Sequence, residues 1–230
     1  MRAVHSLTAL ALTALAMPAA AETPATPVAR VEASLVAHPG ESIVVRVPES
    51  ARYVGSERFE LYGVADAEVH VFVEADGEGQ MRRLWWVQFE GYLPSMPQHH
   101  YDYSDNRRGE LGGVTTWMRA GPTSTSSPMR AGSDREHVFG ILKRAGIAIP
   151  AEVMNVRMVK LLDDPAGTGK GARRELMVIY SEDLASTGKT LADLTTDGKP
   201  NEAWAAIEPG LVERAKASVS IERKLAAPIP

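Results

Sequence analysis

Cysteine is absent from this chain of 230 residues, and aromatic residues make up only 6% of it. Without cysteine the fold can have no disulfide, no thiol nucleophile and no zinc site with thiolate ligands. Packing, hydrogen bonds or a partner must therefore supply the stability of the folded chain.

A surplus of basic residues is also missing. Lys and Arg number 25 against 29 Asp and Glu, so the formal net charge is −4. Nucleic-acid phosphates are bound by clustered Lys and Arg, whereas the basic residues here occur as short pairs such as Arg82-Arg83 and Arg173-Arg174. The composition therefore argues against a nucleic-acid partner.

The chain has no apolar run that is long enough to span a bilayer, which takes about 20 residues. Its longest run, Leu7–Met17, follows Arg2 and precedes Ala19-Ala20-Ala21. This order is typical of a cleavable secretory signal peptide over residues 1–21. We expect cleavage after Ala21, a periplasmic or secreted mature protein, and no stable membrane anchor.

The remaining sequence predicts a flexible lead over residues 22–40, which starts Pro- and Ala-rich, and a single domain over residues 41–230. Alternating apolar residues predict strands, most clearly on either side of the turn at Asp76–Gly79. Ser133 and the apolar spacing after it predict a helix. We expect an α+β fold, a mainly antiparallel sheet of long hairpins with two or three short helices packed on it.

Three further segments carry specific expectations. The residues Glu110–Ala120 are expected to form one strand with a bulge or close approach at Gly112-Gly113. The loop Gly121–Gly132 is long, so it is expected to be mobile or to act as a lid. Apolar spacing predicts helix over Ala203–Ser220, and Pro209-Gly210 is expected to divide it into two shorter helices.

The stretch from Met81 to Tyr103 concentrates aromatic, imidazole and carboxylate groups. On a strand, alternate residues point to opposite faces. The first face is apolar and is expected to face a core, and it carries Trp85, Val87, Phe89 and Gly91. The second face mixes apolar and polar groups, and it carries Leu84, Trp86, Gln88, Glu90 and Tyr92. On the strand before it, the valines are expected to point inward, and Glu68, His70, Phe72 and Glu74 outward.

This aromatic, His-containing end of the sheet is the predicted binding site. Aromatic faces bind sugars, apolar ligands and partner side chains. The predicted ligand-binding residues are Trp86, Glu90, Tyr92, His100, Tyr101 and Tyr103. The alternative is that these residues only seal the end of the sheet, with Trp86 covered by a helix.

His99, His100 and Asp102 are the candidates for catalysis, because imidazole and carboxylate groups can transfer protons or bind a metal. A metal would need distant ligands such as His70 or His137, and no metal site or cofactor is predicted.

The segment Asp183–Thr190 is close to a phosphate-binding loop, but Asp183 replaces the first glycine and would repel a phosphate. We interpret it as a turn in which Thr190 caps a short helix.

These observations favour an exported, non-enzymatic protein that binds a small molecule or a partner envelope protein. One alternative is an envelope hydrolase or metal-dependent enzyme that uses the histidine cluster. Another is a structural accessory protein whose aromatic patch is only an interface.

Overall fold

The computed structural model describes residues 25–223, so the predicted signal peptide lies outside the described range. Within that range strands dominate, and three α-helices accompany them. The strands are β1 (Arg30–Glu32), β2 (Leu35–His38), β3 (Ile43–Arg46), β4 (Arg52–Leu61), β5 (Ala65–Ala75), β6 (Met81–Tyr92), β7 (Tyr101–Asp102), β8 (Arg107–Leu111), β9 (Val114–Ser124), β10 (Glu152–Leu161), β11 (Lys170–Ala172), β12 (Arg174–Asp183), β13 (Thr195–Thr196), β14 (Lys199–Pro200) and β15 (Ser220–Arg223). The helices are α1 (Asp134–Arg144), α2 (Leu191–Leu194) and α3 (Glu202–Ser218).

A central antiparallel sheet organises the described chain, with strand order β4-β5-β6-β12-β10-β9-β8. Strand β6 pairs with β5 and β12, which places Trp86 between Val71 and Ile179. A smaller sheet has the order β1-β2-β3-β15. The expected sheet-rich α+β fold is confirmed.

Both faces of the central sheet are covered. Trp85 packs with residues of the smaller sheet and α3, and its Nε1 donates to Ser218 Oγ at 3.0 Å. Leu84 and Trp86 pack with the buried residues of α1. The two faces predicted for β6 are thus found, and Trp86, only 6% exposed, lies under a helix.

Strand β5 departs from its predicted pattern. Its valines pack on the α1 side as expected. On the other side, however, Phe72 and His70 are fully buried and Glu68 is nearly so. The prediction that these side chains point outward is wrong, because a second layer that no local pattern reveals covers this face. Glu74, at the end of the strand, stays partly exposed.

The segment expected to be a flexible lead contains two strands. Strand β1 pairs with β2, and β2 pairs with β3. Val36 of β2 is fully buried in the core. Glu68 of the central sheet accepts the backbone N–H groups of Val28 and Ala29 at 2.6 and 2.7 Å. These contacts fasten the described part of the segment to the domain.

The glycine pair Gly112-Gly113 forms a turn between β8 and β9, where a single strand with a bulge or a close approach was expected. The close approach is present, since a Cβ atom on Gly112 would lie 3.0 Å from the carbonyl oxygen of Ile221. The two residues have φ values of 57° and 79°. A tight hairpin turn that matches the twist of its strands requires positive φ at both central positions, which glycine adopts without strain. Strand β9 then continues to Ser124, so it takes up the first residues of the predicted loop Gly121–Gly132.

Helix α3 is continuous, so the prediction of two shorter helices is wrong. Pro209 lies inside it. Proline removes one backbone hydrogen bond, which would join its N–H to the carbonyl of Ala205. Both residues lie on the exposed side, where water can hydrate that carbonyl, while Trp204 and Leu211 bury the opposite side. Neither this helix nor any other in the described chain is long and apolar enough to cross a membrane.

Candidate functional site

A cavity of about 280 Å³ lies between α1 and the Trp86 face of the central sheet. We call it the α1 cavity. Its wall is mainly apolar and includes Leu84, Trp86, Phe139, Leu142, Ile149 and Val153.

Helix α1 sits over the sheet because its sequence gives it a clear start and a buried stripe. Ser133 caps the helix by accepting the backbone N–H of Glu136. Val138, Ile141 and Leu142 are almost fully buried at helical spacing. The apolar stripe holds the helix on the sheet, and the cavity remains beside it.

Arg135 ties the loop after β9 to the first turn of α1. Its guanidinium donates to the carbonyl oxygens of Thr125 and Ser127. It also lies 5.0 Å from the ring centroid of Phe139. Among the residues of the described chain that line the cavity, Arg135 is the only arginine, and these contacts already occupy its guanidinium.

Two polar side chains on the cavity wall, Asp134 and Asn155, are available to form hydrogen bonds with a ligand. Burial raises the pKa of Asp134, whose one hydrogen bond in the described chain comes from the backbone N–H of Arg135. Asn155 Oδ1 is buried and has no hydrogen-bond partner among residues 25–223. A buried polar group without a partner costs about 1–3 kcal/mol. A bound molecule could supply the missing partner.

A chain of hydrogen bonds leads away from the cavity along β6. Trp86 Nε1 donates to Gln88 Oε1 at 2.8 Å, and Gln88 Nε2 donates to Glu90 Oε2 at 2.7 Å. The hydroxyl of Tyr101 donates to the other carboxylate oxygen of Glu90 at 2.6 Å. Burial raises the pKa of Glu90. The chain holds the Trp86 ring in place at the cavity wall.

Glu90 faces a second acid, Glu175, directly across the β6–β12 pair. Glu175 is 2% exposed, and its Oε2 has no partner in the described range. Burial, and then the charge of Glu90, raise the pKa of Glu175 to about 8, although Tyr103 and Arg157 act in the opposite direction. The pair therefore retains a proton at neutral pH.

The substitution Glu175→Gln is expected to change how stability depends on pH. The unfolded carboxyl ionises near 4.5, and the folded one near 8, so the folded state holds the extra proton between these values. Wild-type stability must therefore fall as pH rises through this window. Glutamine removes this dependence and should stabilise the fold at pH 8, relative to pH 5, by roughly 3 kcal/mol, because each pKa unit of the shift corresponds to about 1.36 kcal/mol.

Urea unfolding of both proteins at the two pH values measures this difference. Glu60→Gln removes an exposed carboxylate from β4 and serves as the control, with no expected change. Parallel pH profiles for wild type and Glu175→Gln would contradict the shared-proton interpretation.

The predicted ligand-binding residues divide into three groups. Trp86 lines the α1 cavity. Glu90 and Tyr101 are hydrogen-bonded to each other, and Tyr101 stacks on the partly buried Tyr92 at 4.5 Å and on Tyr103 at 6.3 Å between ring centroids. His100 is exposed, and its contact is with the carbonyl oxygen of Gln98. The three tyrosines thus pack on one another, and Glu90 and Tyr92 also line a pocket separate from the α1 cavity.

His99, His100 and Asp102 do not converge. The exposed His99 packs against Tyr92, and Asp102 accepts hydrogen bonds from the backbone and hydroxyl of Ser104. The more distant histidines are also engaged, since His70 contacts Glu68 and His137 contacts Glu57. Residues 25–223 hold no cluster of three or more His, Asp or Glu side chains that could bind a metal.

The near-match to a phosphate-binding loop is a turn and a capped helix, as interpreted. Asp183 ends β12 and accepts the N–H of Ala185, and Arg82 donates to the same carboxylate. Thr190 caps α2 through a reciprocal capping box with Asp193.

Sequence reasoning missed the polar residues of the α1 cavity. Neither Asp134, which follows the helix cap Ser133, nor Asn155, which lies on an apolar strand, belongs to a recognisable motif. An amide on a strand otherwise rich in buried apolar residues was the one available signal.

No family model, curated protein or solved structure matches this chain.

Proposed function

We propose that this chain is an exported envelope protein that binds a small, mainly apolar molecule in the α1 cavity. The observation that carries the proposal is an apolar cavity whose wall holds a buried amide oxygen without a partner in the described chain, Asn155 Oδ1. The export part rests on the sequence of residues 1–21. The proposal keeps the expected small-molecule ligand and keeps Trp86 in its site. It moves the rest of the site from Glu90, Tyr92 and residues 100–103 to the other end of the Trp86 face.

The size of the cavity indicates a small ligand. Pockets for drug-sized ligands enclose about 300–1,000 Å³ and are mostly apolar with a few polar groups. The α1 cavity, at about 280 Å³, lies just below this range. It has room for a single ring or a short branched chain.

The polar groups indicate the chemistry of one end of the ligand. The Asp134 carboxylate and the Asn155 amide can both accept a hydrogen bond from an N–H or O–H group. Arg135, the neighbouring cation, is already engaged by two carbonyl groups. An amine or alcohol on an apolar body therefore fits the site better than a carboxylate does.

Phenethylamine, phenethyl alcohol and hydrocinnamate share one apolar body and differ in the polar end. We expect the amine to bind most tightly and the carboxylate most weakly. Replacing Asp134 by Asn should weaken amine binding about tenfold, because a hydrogen bond to a charged group contributes about 1.5–3 kcal/mol. The affinity of the alcohol should change much less.

Isothermal titration calorimetry of the full chain measures these affinities. Asp105→Asn removes an exposed carboxylate outside the cavity and is the matched control. Equal binding of the three compounds, or an equal effect of the two Asp substitutions, would contradict the proposed role of Asp134.

A further inference from the structure

A second pocket, of about 670 Å³, lies at the far end of β10 from the α1 cavity. The β8–β9 turn, the end of β15 and the loop that follows β10 enclose it. The basic residues Arg108, Lys160 and Arg223 line its wall, together with the hydroxyl-bearing Thr115. By comparison, the α1 cavity has one Lys or Arg on its wall, and a pocket beside Tyr92 has two, Arg58 and Arg174.

Lys160 is the unusual member of this group. It is only 6% exposed, yet it forms no hydrogen bond or ion pair with any residue of the described range. Burial, and then the charge of Arg223, lower the pKa of its ammonium group. Its Nζ is not among the buried side-chain nitrogen and oxygen atoms of the described chain that lack a partner, so the stem is buried while the ammonium stays in contact with water at the pocket wall.

The position of Lys160 follows from the sheet. Met154, Val156 and Met158 occupy the preceding alternate positions of β10 and belong to the core beneath the smaller sheet. Lys160 continues this row beyond the core, so its stem follows apolar surface and its ammonium reaches the pocket. The turn at Gly112 closes against β15, where a Cβ atom on Gly112 would lie 3.0 Å from the carbonyl oxygen of Ile221.

Two acidic residues, Asp164 and Glu222, line the pocket with the three basic ones, so the formal charge of the lining is +1. Asp164 accepts hydrogen bonds from Thr168 N, Thr168 Oγ1 and Gly169 N at 2.8–3.2 Å. Its carboxylate raises the pKa of Lys160 but forms no ion pair with it in the described chain. Glu222 is exposed on the edge strand. Arg108 reaches towards the same loop, and its Nη2 would lie 3.6 Å from a Cβ atom on Gly167.

We propose that this pocket binds a small oxyanion of the phosphate class, either free or as a phosphate monoester, with Lys160 and Arg108 as its main ligands. Phosphate oxygens accept from several donors at once, which suits an ammonium beside a guanidinium. The site is separate from the α1 cavity, so each can be lost without the other.

Calorimetric titration of the full chain with inorganic phosphate, at constant ionic strength in chloride, tests the proposal. We expect saturable binding of one phosphate per chain. Lys160→Met keeps the apolar stem and removes the charge, and it should weaken binding about tenfold. Lys189→Met removes an exposed lysine from the Gly188-Lys189-Thr190 turn and should leave the affinity unchanged.

Arg108→Gln, on the exposed strand β8, gives a second test if Lys160→Met fails to fold, and it should also weaken binding about tenfold. Glycerol phosphate distinguishes the source of the oxyanion, since tighter binding of the ester indicates a monoester ligand and tighter binding of phosphate indicates the free ion. No binding above chloride, or equal binding by wild type, Lys160→Met and Arg108→Gln, would overturn the proposal.

Discussion

Replacing Glu68 by Ala is expected to lower the free energy of unfolding by about 3–5 kcal/mol, because its buried carboxylate accepts two backbone N–H groups and each hydrogen bond to a charged group contributes about 1.5–3 kcal/mol. Glu68 is 4% exposed. Its carboxylate accepts the backbone N–H groups of Val28 and Ala29, and it lies 2.9 Å from Nε2 of His70. Alanine would leave three donors without their acceptor.

The same contacts also determine how Glu68 affects stability as the pH changes. Burial alone would raise its pKa, but the contacts with His70 and the two backbone N–H groups together hold the pKa below its usual value. A carboxylate of this kind stabilises the fold above the unfolded pKa near 4.5, and that stabilisation is lost as pH falls through the lower folded pKa. Glu68→Gln should therefore show a smaller loss of stability on acidification than the wild type does.

Urea unfolding at neutral and acid pH measures both effects. Glu49→Ala removes an exposed carboxylate and is the control, with an expected change within about 0.5 kcal/mol. A Glu68→Ala protein as stable as this control would show that the N-terminal segment is not held by Glu68.

Replacing Leu142 by Ala should cost about 2–5 kcal/mol of stability and also change which ligands bind. Leu142 is fully buried and lines the α1 cavity. Truncating a buried leucine removes apolar contacts and leaves a void. Here the void joins an existing cavity, so ligands with a larger apolar body should gain affinity relative to phenethylamine.

Leu211→Ala provides a matched control, because Leu211 is equally buried but lies in α3 beneath the opposite face of the sheet. Thermal unfolding should show a similar loss of stability in both variants. Calorimetry with phenethylamine and its naphthyl analogue should show the shift in ligand preference only in Leu142→Ala. The same shift in both variants would place the ligand outside the α1 cavity.

Local patterns were sufficient for the elements that frame the site. The alternation along β6 predicted that Trp85 and Trp86 face different layers, and Ser133 with the apolar spacing after it predicted α1. Each of these features depends only on residues a few positions away in the sequence. The N-cap at Thr190 was recognised for the same reason.

The cavity itself could not be predicted, because its polar groups come from distant parts of the chain. Asp134 begins α1 and Asn155 lies on β10, and only the packing of helix on sheet brings them to one wall. The burial of Glu68 and His70 likewise depends on the second sheet, which covers a face that the sequence suggested was open. Pro209 stays inside α3 because its side of the helix is hydrated.

The side-chain amide signal of Asn155 gives the most direct test of ligand binding in the α1 cavity. In two-dimensional NMR spectra of the isotope-labelled protein, titration with phenethylamine should shift this signal together with the indole N–H signal of Trp86. The shifts should be much smaller in Asp134→Asn. Shifts confined to Tyr92 and residues 99–103, or no shift of the Asn155 amide at saturation, would contradict the account.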